Sequence, residues 1–138
     1  MEFRDKYLFL SNFSPSIATV KGLRYPSVEN AFQACKVLNL EERRKFTSIT
    51  SSQARSLGRK VSLRSDWNEI RIELMRCLIV QKFKDPSLRK QLLATGTIEL
   101  VEDNKWGDKF WGRCNGKGKN MLGKILMDVR EKIRKGEC

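Results

Sequence analysis

Helix signals recur at five places along the chain, and each opens on a residue suited to cap a helix. Tyr25-Pro26-Ser27 ends an extended piece and offers Ser27 as an N-cap. Val28, Ala31, Phe32, Cys35 and Leu38 then recur at helical spacing. Ser51 or Ser52 can cap a short helix that stops at Gly58. Asp66-Trp67-Asn68-Glu69 has the capping-box pattern, with an acid at the N-cap and Glu at N3. Ile70, Leu74, Cys77, Leu78 and the run Val80 to Phe83 follow as the face of a long helix. Asp85-Pro86 opens another, with proline at its first position. Asn120 begins the last, which turns Leu122, Ile125, Leu126, Val129 and Ile133 inward. Strand signals are few and short: Tyr7 to Leu10, Ile17 to Val20, and Thr97 to Val101. The stretch Glu102 to Lys119 is dense in Gly, Asn and Trp and reads as a long ordered loop. The expected fold is an α-rich α+β domain, mostly helices with a few short strands. Its 138 residues contain no linker, repeat or low-complexity tract, so residues 1–138 are expected to form a single domain.

Composition narrows the chemistry. A hydrophobic share of 40% is enough to bury a core, yet no apolar run approaches the roughly 18–20 residues of a membrane span. The opening Met1-Glu2-Phe3-Arg4-Asp5-Lys6 has mixed charge and no apolar h-region follows, so no secretory signal is expected. Cys35, Cys77, Cys114 and Cys138 are scattered and form no CxxC pair, which favours reduced thiols in a cytoplasmic protein over disulfides or zinc. The chain has no histidine, which removes Ser-His-Asp and Cys-His catalysis and histidine metal sites. Acid–base work near neutral pH therefore falls to Glu, Asp, Lys, Tyr or Cys with a shifted pKa. No metal and no cofactor are expected. Lys plus Arg number 28 against 16 Asp plus Glu, a formal charge of +12. Small basic clusters lie at Arg43-Arg44-Lys45, Arg55 to Arg64 and Lys117 to Lys124. Such a field draws phosphates, in a polymer or in a small molecule, although it also serves as a solubilising surface.

Three constellations can carry chemistry. Glu29, Gln33 and Lys36 stand at i, i+4 and i+7 of the first clear helix, on one stripe beside its apolar face. Lys36 leans back toward Glu29, and Glu29 occupies the first turn, where the helix dipole favours its ionised form. The same spacing also fits an ordinary solvated face. The second is Asn104-Lys105-Trp106-Gly107-Asp108-Lys109-Phe110-Trp111-Gly112. Its glycines let backbone approach a ligand and its indoles can stack on a base. The same tryptophans can equally pin the loop to the core. Ser11-Asn12-Phe13-Ser14-Pro15 is a third, polar turn. Gly116-Lys117-Gly118-Lys119-Asn120 resembles a phosphate cradle before a helix but lacks the GxxxxGK[ST] spacing, which rejects a nucleotide triphosphatase.

Taken in order, these pieces resemble the NADAR (YbiA-like) family. The matching stretches are Phe9 to Pro15, Gly22 to Lys36, Ala54 to Met75, Lys82-Phe83, Leu92 to Gly96 with Leu100-Val101-Glu102, Trp106 to Gly112, Gly118 to Gly123 and Leu126 to Arg130. No one motif is decisive; the ordered set from about residue 9 to residue 130 is specific. One departure is Asn30, where many members carry histidine after the glutamate.

The resemblance implies hydrolysis of the bond between ribose C1 and an exocyclic base amine. One branch of the family acts on ribosylamino-pyrimidine phosphates of early riboflavin synthesis. Another removes ADP-ribose from guanine in nucleic acid. It implies Glu29 and Lys36 as the catalytic pair. Either Lys36 forms a Schiff base with Glu29 shuttling protons, or water attacks directly with Glu29 as acid/base and Asp108 supporting an oxocarbenium-like state. Trp111 and Trp67 are implied as base-stacking residues, and Trp106 as substrate-binding. Asn12 and Asn120 are implied to hold ribose or phosphate, and Phe13, Gln33, Arg59 and Gly112 to line the substrate site. The +12 charge ranks ADP-ribosylated nucleic acid first, the ribosylamino-pyrimidine phosphates second and an inert ADP-ribose or nucleic-acid reader third. A monomer without membrane association is expected.

Overall fold

A computed structural model describes residues 1–137, so Cys138 and its expected free thiol lie outside the described residues. The chain separates into two units: Asn12–Lys82, and Met1–Ser11 together with the chain from Phe83 onward. Mostly helices with a few short strands is what the structure contains, as the apolar spacing predicts.

In the Asn12–Lys82 unit, β1 (Ala18–Val20) and β2 (Leu23–Tyr25) form an antiparallel hairpin in which Val20 faces Leu23. The two residues between them, Lys21 and Gly22, both have positive φ, the backbone that a tight two-residue hairpin turn requires. Ser27 then caps α1 (Val28–Ala34), its hydroxyl accepting the Asn30 N–H, as its place before the apolar stripe predicts. The helix stops earlier than its spacing suggests. Lys36 N–H reaches back to Gln33 and Val37 N–H to Ala34, so Lys36 sits in a tightened closing turn, and Leu38 is exposed. A short helix α2 (Leu40–Arg44), capped by Asn39, is absent from the sequence-based expectation. Thr50, not Ser51 or Ser52, caps α3 (Ser51–Gly58), because Thr50 and Gln53 form a reciprocal capping box. The helix does end at Gly58.

The long helix α4 (Trp67–Lys82) forms as expected, but its buried face is rotated. Trp67, Met75, Leu78, Ile79 and Lys82 are buried, whereas Cys77 is exposed. The Asp66–Glu69 capping box is also overturned. A bidentate pair with Arg64, at 2.6 and 2.9 Å, claims the Asp66 carboxylate and holds its pKa down.

Asn30, where many family members carry histidine, is fully buried. Its amide donates to the Phe46 and Ile49 carbonyls at 2.9 and 2.8 Å, and its oxygen accepts from Ser27 Oγ. Here it clamps the chain between α2 and α3 onto α1. That is a structural duty an amide performs without a titratable ring.

In the other unit, Tyr7–Leu10 is not a strand but the body of a 3-10 helix, Asp5–Leu10. A four-residue apolar run suits either, and this one packs Phe9 edge-on against Phe83 at 6.5 Å and buries Leu10. The helix α5 (Pro86–Ala94) opens on Asp85, whose carboxylate accepts the Leu88 N–H, as its Asp-Pro start predicts. Thr97–Val101 forms no strand, because side chains take the place of a ladder partner. Asn120 Nδ2 donates to the Leu100 carbonyl and Arg130 to that of Ile98. The Glu102–Lys119 loop is ordered by two two-residue strands in parallel, β3 (Asp103–Asn104) and β4 (Arg113–Cys114). The last helix, α6 (Met121–Arg134), buries Leu122, Ile125, Leu126, Val129 and Ile133, as expected. Among the described residues, no helix is long and apolar enough to cross a membrane.

Candidate active site

The strongest group of chemistry-bearing residues lies in the Asn12–Lys82 unit and is built by α1, α3 and the turn beginning at Asn12. Glu29 enters α1 in its first turn, with its backbone N–H bonded to the Asn12 carbonyl at 3.0 Å. Its side chain is buried, and Gln33 Nε2 donates to its Oε2 at 3.3 Å. Lys36, one residue past the helix cap, is half-buried and directs its Nζ at the Gly58 carbonyl, 3.5 Å away. Burial lowers the Lys36 pKa; the Glu29 carboxylate opposes that shift and Arg59 adds to it. Glu29, Lys36 and Arg59 are therefore within electrostatic reach of one another. The geometry differs from a regular i, i+7 stripe, because Lys36 is placed by the closing turn.

Helix α3 completes the group. Ser51 Oγ lies 2.9 Å from Ser27 Oγ and 3.1 Å from the Phe13 carbonyl oxygen. Four residues on, the Arg55 guanidinium stands 5.8 Å from the centroid of the half-exposed Phe13 ring. At Gly58 any Cβ would run into Gln33 Oε1, so glycine is what lets α3 approach α1. Arg55, Gly58 and Ser14 are not among the site residues expected from the sequence, although Ser14 lies in the Ser11–Pro15 turn, Arg55 opens a basic cluster and Gly58 marks a helix end. The i, i+4, i+7 spacing of Ser51, Arg55 and Gly58 on α3 is the signal that could have found two of them.

Asn12 donates through Nδ2 to Met75 Sδ at 3.5 Å. Its Oδ1 and Gln33 Oε1 are buried acceptors without a hydrogen-bond partner in the protein. Trp67 is 6% exposed and packs on Phe32 with ring centroids 4.9 Å apart, so the core takes its indole. Cys35, adjacent to Lys36, is fully buried and burial pushes its thiol pKa up, which disqualifies it as a nucleophile.

The remaining expected residues belong to the other unit. Asp108 Oδ1 accepts the N–H groups of Phe110 and Trp111 at 3.0 and 2.9 Å, so it organises its own loop. Asn104 braces the same loop through the Asp108 backbone. Trp111 packs edge-on against Phe110, and Trp106 is 57% exposed. Gly112 is buried where a Cβ would meet Glu102. Asn120 is buried with left-handed backbone, and its amide joins the Glu102 N–H to the Leu100 carbonyl. Gly112 and Asn120 thus carry packing and loop-closing duties. Among the described residues, no group of three or more Cys, Asp or Glu could hold a metal ion.

Comparison with known proteins supplies the family. The NADAR domain matches residues 2–134. The chain is 37% identical over 134 residues to N-glycosidase YbiA of Escherichia coli, covering 94% of this chain and 83% of that protein. It is 41% identical over 135 residues to a Vibrio vulnificus protein named riboflavin biosynthesis protein VVA0006, covering 94% of this chain but only 36% of that longer protein. A solved structure of E. coli YbiA superposes with a TM-score of 0.86 at 34% identity, covering 99% of this chain and 84% of that one. The chain belongs to the NADAR family and has the fold of its N-glycosidase YbiA.

Proposed function

We propose that this chain is an N-glycosidase that hydrolyses the bond between ribose C1 and an exocyclic base amine, with Lys36 and Glu29 as its catalytic pair. The observation that carries this reading is a half-buried amine of lowered pKa beside a buried carboxylate in one unit. The naming of several relatives as N-glycosidases supports the reaction class.

The bond is an aminal, so the sugar ring can open to an iminium at C1. Glu29 hands a proton to the ring oxygen as it opens. The neutral Lys36 amine then adds to C1, the base amine departs with a proton, and C1 is left as a Schiff base on Lys36. Water adds to C1 and Glu29 removes its proton; the carbinolamine then expels the Lys36 amine to leave the aldehyde, and ring closure gives the phosphorylated sugar, ADP-ribose for the leading substrate. The Asn12 and Gln33 side chains are proposed to meet sugar hydroxyls, and Arg59, which acts on the Lys36 charge, to meet a phosphate.

The leading substrate is ADP-ribosyl-guanine in nucleic acid, which the +12 charge favours because a polymer offers a long run of phosphates. Ribosylamino-pyrimidine phosphates form the second reading, favoured by the name of the Vibrio relative. Incubation with ADP-ribosylated DNA and with ribosylamino-pyrimidine phosphates, side by side, separates the two by which one releases sugar. For the nucleic-acid reading, cleavage on a DNA strand falls steeply with salt while cleavage of the free nucleoside changes little. Equal salt dependence removes the case for a polymer. Release of sugar from neither substrate contradicts the reaction itself.

A further inference from the structure

The buried lysine at the end of α4 has no place in the reaction above. Lys82 is 3% exposed, and its Nζ lies 3.1 Å from Ser14 Oγ, itself buried and 68 residues distant in sequence. Burying an amine in the core is unfavourable compared with a leucine or methionine of similar shape, unless its hydrogen bonding is needed. Burial alone draws its pKa down to about 7, and a sealed amine cannot reach a sugar carbon.

What Lys82 can reach is the segment that enters the site. Ser14 lies in a stretch held at several points. The Asn12 carbonyl accepts the Glu29 N–H at 3.0 Å, and the Phe13 carbonyl lies 3.1 Å from Ser51 Oγ on α3. Ser14 Oγ meets Lys82 on α4, and Ser16 N–H donates to the Pro26 carbonyl at 3.1 Å. Three of these ties use backbone carbonyls or amides of the segment. The Lys82 tie uses two side chains sealed from water. It joins the segment to α4 through side chains alone, as the Asn12 Nδ2–Met75 Sδ contact does further along the same helix.

We propose that Lys82 is a positioning residue for Glu29: through Ser14 it fixes the Asn12–Ser16 segment, and with it the first turn of α1. The proposal rests on Glu29 being the acid/base of the reaction proposed above. A shift of about 1 Å in a reacting group is enough to slow chemistry about 100-fold.

The test uses Lys82→Met, which keeps the aliphatic stem, together with Ser14→Ala and the double variant, all in the full chain. Each single variant is expected to lower kcat about 10- to 100-fold, with KM also changed, by a smaller factor, because Asn12 and Phe13 move with the same segment. The double variant is expected to be no slower than the slower single one, since both break the same tie. Native-state hydrogen exchange is expected to speed up at the Glu29 amide in both single variants, while the central amides of α4 keep their protection. Wild-type kcat in Lys82→Met, multiplied losses in the double variant, or unchanged exchange at Glu29 would each overturn the proposal. Should Lys82→Met fail to fold, Ser14→Ala decides alone by the same kcat and exchange criteria. If the wild type cleaves neither substrate, the proposed reaction fails, and the exchange result still decides whether Lys82 places Glu29.

Discussion

Two lysines of one unit are pushed in the same direction by the same force. Burial lowers the pKa of Lys36 and that of Lys82, the latter to about 7. Their surroundings are opposite. Lys36 is half-buried at the end of α1, where Glu29 and Arg59 act on its charge and its Nζ points at the Gly58 carbonyl. Lys82 is sealed among the buried residues of α4 and faces a serine hydroxyl. A depressed amine is therefore not by itself the mark of a catalytic group. A Schiff-base lysine needs access to the substrate and a neighbouring proton carrier; Lys36 is half-buried rather than sealed and lies within electrostatic reach of Glu29. The deeper burial belongs to the residue that, on this account, holds the site together.

Substitutions that separate access from burial test the contrast most severely. Lys36→Arg keeps the cation and removes the only atom able to form an imine, so steady-state turnover is expected to fall about 10³-fold or more with product still bound. Glu29→Gln is expected to lose about 10²- to 10⁴-fold in kcat with the fold intact, as judged by its thermal melt. In the wild type, kcat is expected to rise with pH as Lys36 loses its proton and to level off below the ordinary lysine value of 10.5. Full activity in Lys36→Arg leaves Glu29 with an activated water and dissolves the distinction between the two lysines.

The second contrast is in stability. Lys82 titrates at about 7 in the folded chain and near 10.5 when unfolded. Between those values the unfolded chain holds more protons, so stability rises with pH across the window, and the penalty is fully present below it. A tenfold change in proton affinity corresponds to about 1.4 kcal/mol, so the window amounts to a few kcal/mol. Lys82→Met is expected to remove this slope. Urea midpoints at about pH 6 and about pH 10 should differ less in the variant than in the wild type. An identical difference in both proteins means Lys82 is not held neutral by burial.

A smaller effect sharpens the Lys36 side. Gly58→Ala drives a methyl group into Gln33 Oε1, and the flexible amide gives way. The expected destabilisation is about 1 kcal/mol, read from the urea midpoint. A severalfold loss of kcat should accompany it as Gln33 leaves Glu29. Wild-type kcat at that lowered stability means the Gln33–Glu29 bond is incidental.

How much of this was legible in the sequence follows from what each signal depends on. Caps that need only local geometry were readable: Ser27 before α1, Asp85-Pro86 before α5, and, by its spacing, the apolar face of α6. Readings that depended on a rival partner failed. Asp66 looked like a cap, but Arg64 two residues away takes both of its carboxylate oxygens. Thr97–Val101 looked like a strand, but Asn120 and Arg130 satisfy its carbonyls from the side. Glu29 and Gln33 were legible as neighbours on one helix, and the structure joins them directly. The place of Lys36 depends on where α1 stops, which tertiary closure decides. The Lys82–Ser14 tie spans 68 residues, so no local pattern could announce it.

The proposed reaction turns on which amine meets the sugar. Borohydride added during turnover reduces any Schiff base to a stable secondary amine, and peptide mapping by mass spectrometry locates it. The expected result is a sugar adduct on Lys36 in the wild type, absent in Lys36→Arg and absent from Lys82 in both. An adduct on Lys82, or turnover that leaves no trapped lysine at all, contradicts the assignment of Lys36 as the reacting amine.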